Sequence, residues 1–351
     1  MTKDKHPKLH EHIEALFQRS TTPTTFKEYL PKILADKNSS LARLRPLAWG
    51  VEVVKGCNLT CGYCAARLYP RKEYNCMTID TWKQLLEIIS IVTPMSRMMI
   101  AGIGEPTLNP LLPDFFRASR KTCPGLQLMT YTNGTTLLSG KVTYQELLGA
   151  GVNFIYVDMY GSEEKHRELA QQSGYEWHDY TSQKSQAGFT YGNDPDRRHI
   201  LLCPNPGNWS KQKIRQGAFA TFLNHLDWAA AKKYGLTPVT NAPARRCDQP
   251  TRNTMVYWNG DYSFCCYDAM REVAGTLGNV SEGISGFFQY WFGKYMQTTR
   301  RLLDQKNRQG HPMCSKCARC GSRADIPLWP EDWLKNFYDG TRWRKTPAML
   351  K

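Results

Sequence analysis

Three cysteines fall within one short loop, Cys57-Asn58-Leu59-Thr60-Cys61-Gly62-Tyr63-Cys64. Three thiolates on such a loop can hold three corners of a cubane 4Fe–4S cluster and leave its fourth iron without a protein ligand. An open iron can take a cofactor or substrate, whereas a four-cysteine cluster is closed and only carries electrons. Zinc is the alternative occupant. Structural zinc wants four protein ligands, usually as two paired knuckles, and the distant Cys76 has no neighbouring ligand to pair with.

A second constellation starts at Cys247. It runs through Gly260-Asp261-Tyr262-Ser263-Phe264-Cys265-Cys266 to Cys314-Ser315-Lys316-Cys317-Ala318-Arg319-Cys320. Trp258-Asn259-Gly260-Asp261 reads as a hairpin turn between strands at 255–257 and 262–264. A hairpin with cysteines before and after it, closed by a distant Cys-x2-Cys, suits a four-thiolate site.

The elements that must position these cysteines follow an alternating pattern. Trp49 to Val54 is a short apolar, β-branched run that suits a buried strand, and it delivers the first cysteine loop at its end. Thr78 to Val92 places Ile79, Trp82, Leu85, Leu86, Ile89 and Val92 on one helical stripe, with Thr78 or Asp80 as cap. Further strands are predicted over 98–101, 126–131, 152–159, 199–203 and 236–240, separated by helices over 111–122, 143–150, 163–171 and 217–234. Such alternation means parallel strands with helical crossovers. Ligands then meet the carboxyl ends of the strands. A last helix is predicted over 287–303. Residues 1–48 read as a polar leader of one or two helices. Residues 171–197, rich in Gln, Ser, Gly and Tyr, read as an inserted lid or a surface loop.

Several strand ends carry groups suited to a ligand. In Ala101-Gly102-Ile103-Gly104-Glu105-Pro106 the glycines let the backbone pass close to a ligand, and the carboxylate can accept from an ammonium group. Thr130-Tyr131-Thr132-Asn133-Gly134 ends the next strand. Asn-Gly is common in hairpins, but a helix follows here.

The x3-x2 cysteine spacing, with Tyr63 before the last cysteine, resembles the radical S-adenosylmethionine (radical SAM) signature. The resemblance implies an α/β fold, a partial (β/α)6 barrel over residues 49–240. It also implies that the open iron chelates the amino and carboxylate groups of SAM. Reductive cleavage of SAM then gives a 5′-deoxyadenosyl radical that abstracts a substrate hydrogen. Gly102-Ile103-Gly104-Glu105-Pro106 resembles the family's Gly-Gly-Glu-Pro element, with Ile103 in place of one glycine. The cofactor contacts implied are Tyr63, Gly102, Gly104, Glu105, Thr132 and Asn133. Asp158 and Tyr160 stand where the family touches the SAM ribose or the substrate. Cys203 is a candidate hydrogen-atom donor to a product radical, or a buried free thiol.

From Cys247 the pattern Cys, a run, Gly-x4-Cys, a gap and Cys-x2-Cys resembles the SPASM/twitch extension of radical SAM proteins, over residues 241–325. Six cysteines remain from Cys247 onward, one fewer than two auxiliary clusters use, so one auxiliary 4Fe–4S cluster is expected. Its ligands are Cys247, Cys265, Cys314 and Cys317, with Cys320 able to replace Cys314 and Cys266 a bystander. A zinc knuckle shares this spacing.

Composition bounds the partners. The 351 residues lack any run of eighteen apolar positions and begin without an apolar signal segment, so a cytoplasmic protein without a membrane span is expected. Twelve cysteines in that compartment argue for metal–sulfur chemistry over disulfides. The net charge is +15, and the last 58 residues hold 13 Lys or Arg against 5 Asp or Glu, among five aromatics of a basic, Trp-rich tail at 326–351. Charge of this kind draws polyanions, and aromatics stack exposed bases. The leading expectation is therefore a nucleobase substrate in flipped or single-stranded DNA or RNA, for example rearrangement of hypermodified thymidine in phage-type DNA. The alternatives are maturation of a ribosomal peptide, or dehydrogenation or epimerisation of a small molecule such as an aminosugar. A flavodoxin or ferredoxin is the expected reductant. Outside enzymology, an electron carrier or a nucleic-acid-binding zinc protein shares the cysteine pattern.

Overall fold

A computed structural model describes residues 46–60, 74–94, 96–160, 168–169, 171–172, 188–190, 199–205, 247, 249–266, 268 and 277–317. In chain order the elements are β1 (Ala48–Val51), β2 (Val54–Lys55), β3 (Asn75–Cys76), α1 (Ile79–Val92), β4 (Arg97–Ile100), α2 (Leu112–Thr122) and β5 (Gln127–Thr132). There follow α3 (Thr135–Leu138), α4 (Tyr144–Gly149), β6 (Phe154–Tyr160), β7 (Gly188–Thr190), β8 (His199–Asn205), α5 (Gln249–Arg252) and β9 (Asn253–Val256). The last are β10 (Tyr262–Ser263), α6 (Gly283–Phe292) and α7 (Lys294–Asp304).

Eight strands form one sheet in the order β10-β9-β1-β4-β5-β6-β8-β7. The six from β9 to β8 run parallel, and an antiparallel strand flanks each edge. This is a partial barrel, with α1, α2 and the α3–α4 pair as crossovers between β1, β4, β5 and β6. The hairpin at 253–263 does not stand apart from it, because β9 pairs in parallel with β1 along its whole length. The predicted strand 236–240, the helix 217–234, the leader and the tail lie outside the described residues, as does most of the insertion. Within that insertion, β7 pairs with β8 at the sheet's edge.

Period-two alternation sorts the sheet's faces. Trp49, Val51, Met98, Ile100, Leu128, Ile155 and Val157 are buried in one continuous core with α1, α2 and α6. Met99, Met129 and Tyr131 on the other face are half-buried. Gly50 leaves room on that face, since a Cβ there would lie 2.9 Å from the Met255 sulfur.

Thr78 caps α1, its hydroxyl accepting the Thr81 N–H at 3.2 Å. Trp82 of α1 stacks on Phe115 of α2 at 4.6 Å, and its indole N–H is shared between the Phe115 carbonyl (3.0 Å) and Ser119 (3.2 Å). Trp49 of β1 packs against Phe287 of α6 at 5.2 Å. α6 therefore shares the core of the first strand, and deleting such a ring costs about 3–5 kcal/mol. The single helix predicted over 287–303 is two. Gly293 takes an extended backbone between α6 and α7, and a Cβ there would lie 2.0 Å from the Gln289 carbonyl oxygen.

Candidate functional site

Parallel pairing brings the carboxyl ends of β1, β4, β5, β6 and β8 to one edge of the sheet, where the segments that follow β1, β4 and β5 meet. The chain leaving β1 passes through β2 to Gly56 and Cys57. The loop after β4 is stitched to it: Ala101 N–H donates to Val51 O (2.9 Å) and Glu105 N–H to Gly56 O (2.9 Å). Glu52 accepts the Ile103 N–H at 3.1 Å, and the Asn109 side chain donates to Val53 O and Met77 O, both at 3.1 Å. Close approach explains the glycines. A Cβ at Gly104 would lie 1.7 Å from the Val54 carbonyl oxygen, and one at Gly102 would lie 2.8 Å from Glu52. No side chain fits at either.

Glu105, the candidate acceptor for a ligand's ammonium group, is 3% exposed. Its Oε1 accepts from the Thr107 N–H (3.1 Å), the Thr107 hydroxyl (2.6 Å) and the Thr132 hydroxyl (2.6 Å). Its Oε2 accepts the Asn133 N–H at 2.7 Å. Burial pushes this carboxyl above its ordinary range, while those hydrogen bonds pull it down. The group ties β4 to β5.

Beyond it the network reaches sulfur. The Asn133 side-chain amide donates to Asn58 Oδ1 (2.9 Å) and to Cys57 Sγ (3.6 Å). Cys57 Sγ also accepts the Leu59 N–H at 3.4 Å. Asn58 Nδ2 donates to the Thr135 hydroxyl at 2.6 Å. Amide donors aimed at a cysteine sulfur suit a thiolate ligand, so Cys57 fits one corner of an iron–sulfur cluster. Cys61, Tyr63 and Cys64 lie outside the described residues. Gly134 has φ +77°, a left-handed turn that starts α3.

The register sets Asp158 of β6 beside Cys203 of β8, and Tyr160 beside Asn205, at the same carboxyl edge. Their side chains lie outside the described residues.

The second constellation gathers behind β9 and β10. Burial pushes the Cys314 thiol well up, and charge on Cys247 and Cys317 pushes it further. The Tyr295 phenol is raised by burial and then by Cys314, Asp268 and Cys265. Cys247 and Cys317 lie close enough to Cys314, and Cys265 and Cys314 close enough to Tyr295, for their charges to be felt. An iron–sulfur cluster fits that donor set. His311 braces the loop: its Nδ1 accepts the Met313 (3.3 Å) and Cys314 (3.2 Å) N–H groups. Nε2 therefore carries the proton, 3.1 Å from the Tyr295 and Thr299 oxygens. Ser263 donates to Asp268 at 2.9 Å beside Cys265. Cys266 is exposed. Among the described residues, no three His, Cys, Asp or Glu side chains form a single-ion site, and no helix is long and apolar enough to cross a membrane.

Gly56, Asn58, Thr107 and Thr135 at the first site, and Ser263, Asp268, Tyr295 and His311 at the second, were not expected. Asn58 stood inside the cysteine loop and Thr135 next to Asn133-Gly134, the only sequence signals for them.

A family model described as the radical SAM superfamily matches residues 51–181. A second, described as an iron-sulfur cluster-binding domain (SPASM), matches residues 247–321. The chain is 23% identical over 271 residues to the S-adenosyl-L-methionine-dependent 2-deoxy-scyllo-inosamine dehydrogenase of Niallia circulans, covering 76% of this chain and 90% of that one. It is 30% identical over 109 residues to the tungsten-containing aldehyde ferredoxin oxidoreductase cofactor-modifying protein of Pyrococcus furiosus, 31% of this chain and 29% of that one. The crystal structure of BtrN in complex with AdoMet and 2-DOIA superposes with a TM-score of 0.55 at 21% identity, covering 79% of this chain and 94% of that one. That likeness is one of fold.

Proposed function

Because the chain belongs to the radical SAM superfamily and is an enzyme with a C-terminal SPASM domain, 4Fe–4S clusters and SAM as cofactors, we propose that it dehydrogenates an alcohol carbon of a small polyhydroxylated amine. The observation that carries this substrate class is the similarity to a 2-deoxy-scyllo-inosamine dehydrogenase along 90% of that relative. In this reading Cys57, Cys61 and Cys64 hold the SAM-binding cluster, and Cys247, Cys265, Cys314 and Cys317 hold an auxiliary one. When bound, these groups supply a 5′-deoxyadenosyl radical and an acceptor for one electron. The protein's own part is positioning. Gly102 and Gly104 keep the β4 loop flat against the segment that leads into Cys57, Glu105 with Thr132 fixes the ends of β4 and β5, and Asn133 turns its side-chain amide toward the Cys57 sulfur. Asp158, Tyr160 and Cys203 stand at the edge that a substrate would meet. A ferredoxin or flavodoxin supplies the electron.

The overall reaction removes one C–H hydrogen atom, one O–H proton and one electron from a secondary alcohol, leaving a ketone. The nucleobase expectation rests on net charge and a basic segment, and DNA modification and isomerisation gain no support from the relatives. The test is anaerobic incubation of the reconstituted enzyme with SAM, a reductant and either aminocyclitols or single-stranded DNA. The proposal expects an aminocyclitol product lighter by two hydrogens, and deuterium passing from a labelled carbinol carbon into 5′-deoxyadenosine. A modified base with no aminocyclitol product would overturn it.

A further inference from the structure

The hydrogen-bond network at the end of β5 ends on a cysteine sulfur. Asn133 has only one workable amide orientation. Its Oδ1 accepts both the Thr135 N–H (3.0 Å) and the Thr135 hydroxyl (2.7 Å), and a backbone N–H can only be met by an acceptor. Its Nδ2 must therefore face the other way, and its two protons go to Asn58 Oδ1 at 2.9 Å and Cys57 Sγ at 3.6 Å. The residue is clamped from behind as well, through its own N–H to Glu105 at 2.7 Å. Asn133 is 8% exposed, so water competes little for these bonds.

We infer that Asn133 tunes the SAM-binding cluster by donating a side-chain hydrogen bond to the Cys57 sulfur, raising the potential at which that cluster accepts its electron. This rests on the proposed ligation by Cys57. Reduction adds negative charge to the cluster and its thiolates, and a donor on a thiolate sulfur stabilises the more negative state. Removing the donor lowers the potential. Asn133→Asp keeps the shape and the acceptor for Thr135, but turns an anionic oxygen toward the sulfur.

The test is a potentiometric titration of the reconstituted enzyme followed by electron paramagnetic resonance, with the auxiliary cluster as internal reference. Asn133→Ala is expected to reduce the SAM-binding cluster's reduction equilibrium about tenfold, a fall of about 59 mV for one electron. Asn133→Asp is expected to shift it at least as far, with the auxiliary cluster unmoved. A potential unchanged in both loaded variants overturns the inference.

The wild-type enzyme decides the matter if the variants fail to load. With 15N confined to asparagine side-chain amides, pulsed spectra of the reduced cluster should show a 15N coupling, and its absence overturns the inference. Wild type that cleaves SAM but lacks this coupling leaves the proposed function standing without the inference. Wild type that neither loads iron nor cleaves SAM removes both.

Discussion

The carboxylate of Glu105, just past β4, accepts the backbone N–H of Asn133, just past β5, at 2.7 Å. With the Thr107 and Thr132 hydroxyls on its other oxygen, it holds adjacent strand ends in one geometry. Glu105→Gln keeps the size but sets an N–H against at least one of these donors. The expected loss is about 1–3 kcal/mol, seen as a lower urea midpoint with an unchanged slope. An unchanged midpoint would mean that the carboxylate is not the tie between β4 and β5.

The two glycines of the β4 loop differ in what surrounds them. An added methyl at Gly104 would meet a backbone oxygen at 1.7 Å, whereas at Gly102 it would meet the Glu52 side chain at 2.8 Å. Gly104→Ala should therefore weaken SAM binding more than Gly102→Ala, because the carbonyl belongs to the strand that leads into Cys57. Titration of SAM against both variants by calorimetry checks the ranking. Equal affinities would contradict it.

Much of this arrangement is legible in the residues themselves, for specific reasons. The apolar stripe from Ile79 to Val92 and the β-branched run at β1 announce their own periods, and the x3-x2 cysteines announce their chemistry. The break at Gly293 was hidden because apolar spacing continues across it, from Phe287 and Trp291 to Met296. The pairing of β9 with β1 was hidden too, since it joins residues about 200 positions apart and leaves no local pattern. The internal partners of Glu105 were not legible. The hydroxyls that meet Glu105 come from Thr107, which carries no signal of its own, and from Thr132, which the sequence marks only as a strand end suited to a ligand.

Thiol reactivity separates two cysteines outside the proposed ligand sets. Cys123 is buried, and desolvation pushes its thiol up to about 11, so at pH 8 about one molecule in a thousand carries the reactive thiolate. Cys266 is exposed. Brief treatment of the folded enzyme with iodoacetamide at pH 8 should alkylate Cys266 and spare Cys123, as read by peptide mass spectrometry. Labelling of Cys123 at a comparable rate would contradict the packing of α2 against α1.

Cys314 tests the second cluster. Burial and the neighbouring Cys247 and Cys317 thiols make an unliganded thiolate there costly. Cys314→Ala should lower the iron content from about eight to about four per chain and leave the SAM-binding cluster's spectrum intact. An unchanged count of about eight would remove Cys314 from the ligand set in favour of Cys320, and zinc in the wild type at that place would remove the auxiliary cluster.

Cleavage of SAM is the most direct measurement of all. Under anaerobic conditions with a strong reductant, the wild-type enzyme should convert SAM to 5′-deoxyadenosine, and Cys57→Ala should yield none. Equal 5′-deoxyadenosine from the two proteins, or none from a wild type loaded with iron, would contradict the account.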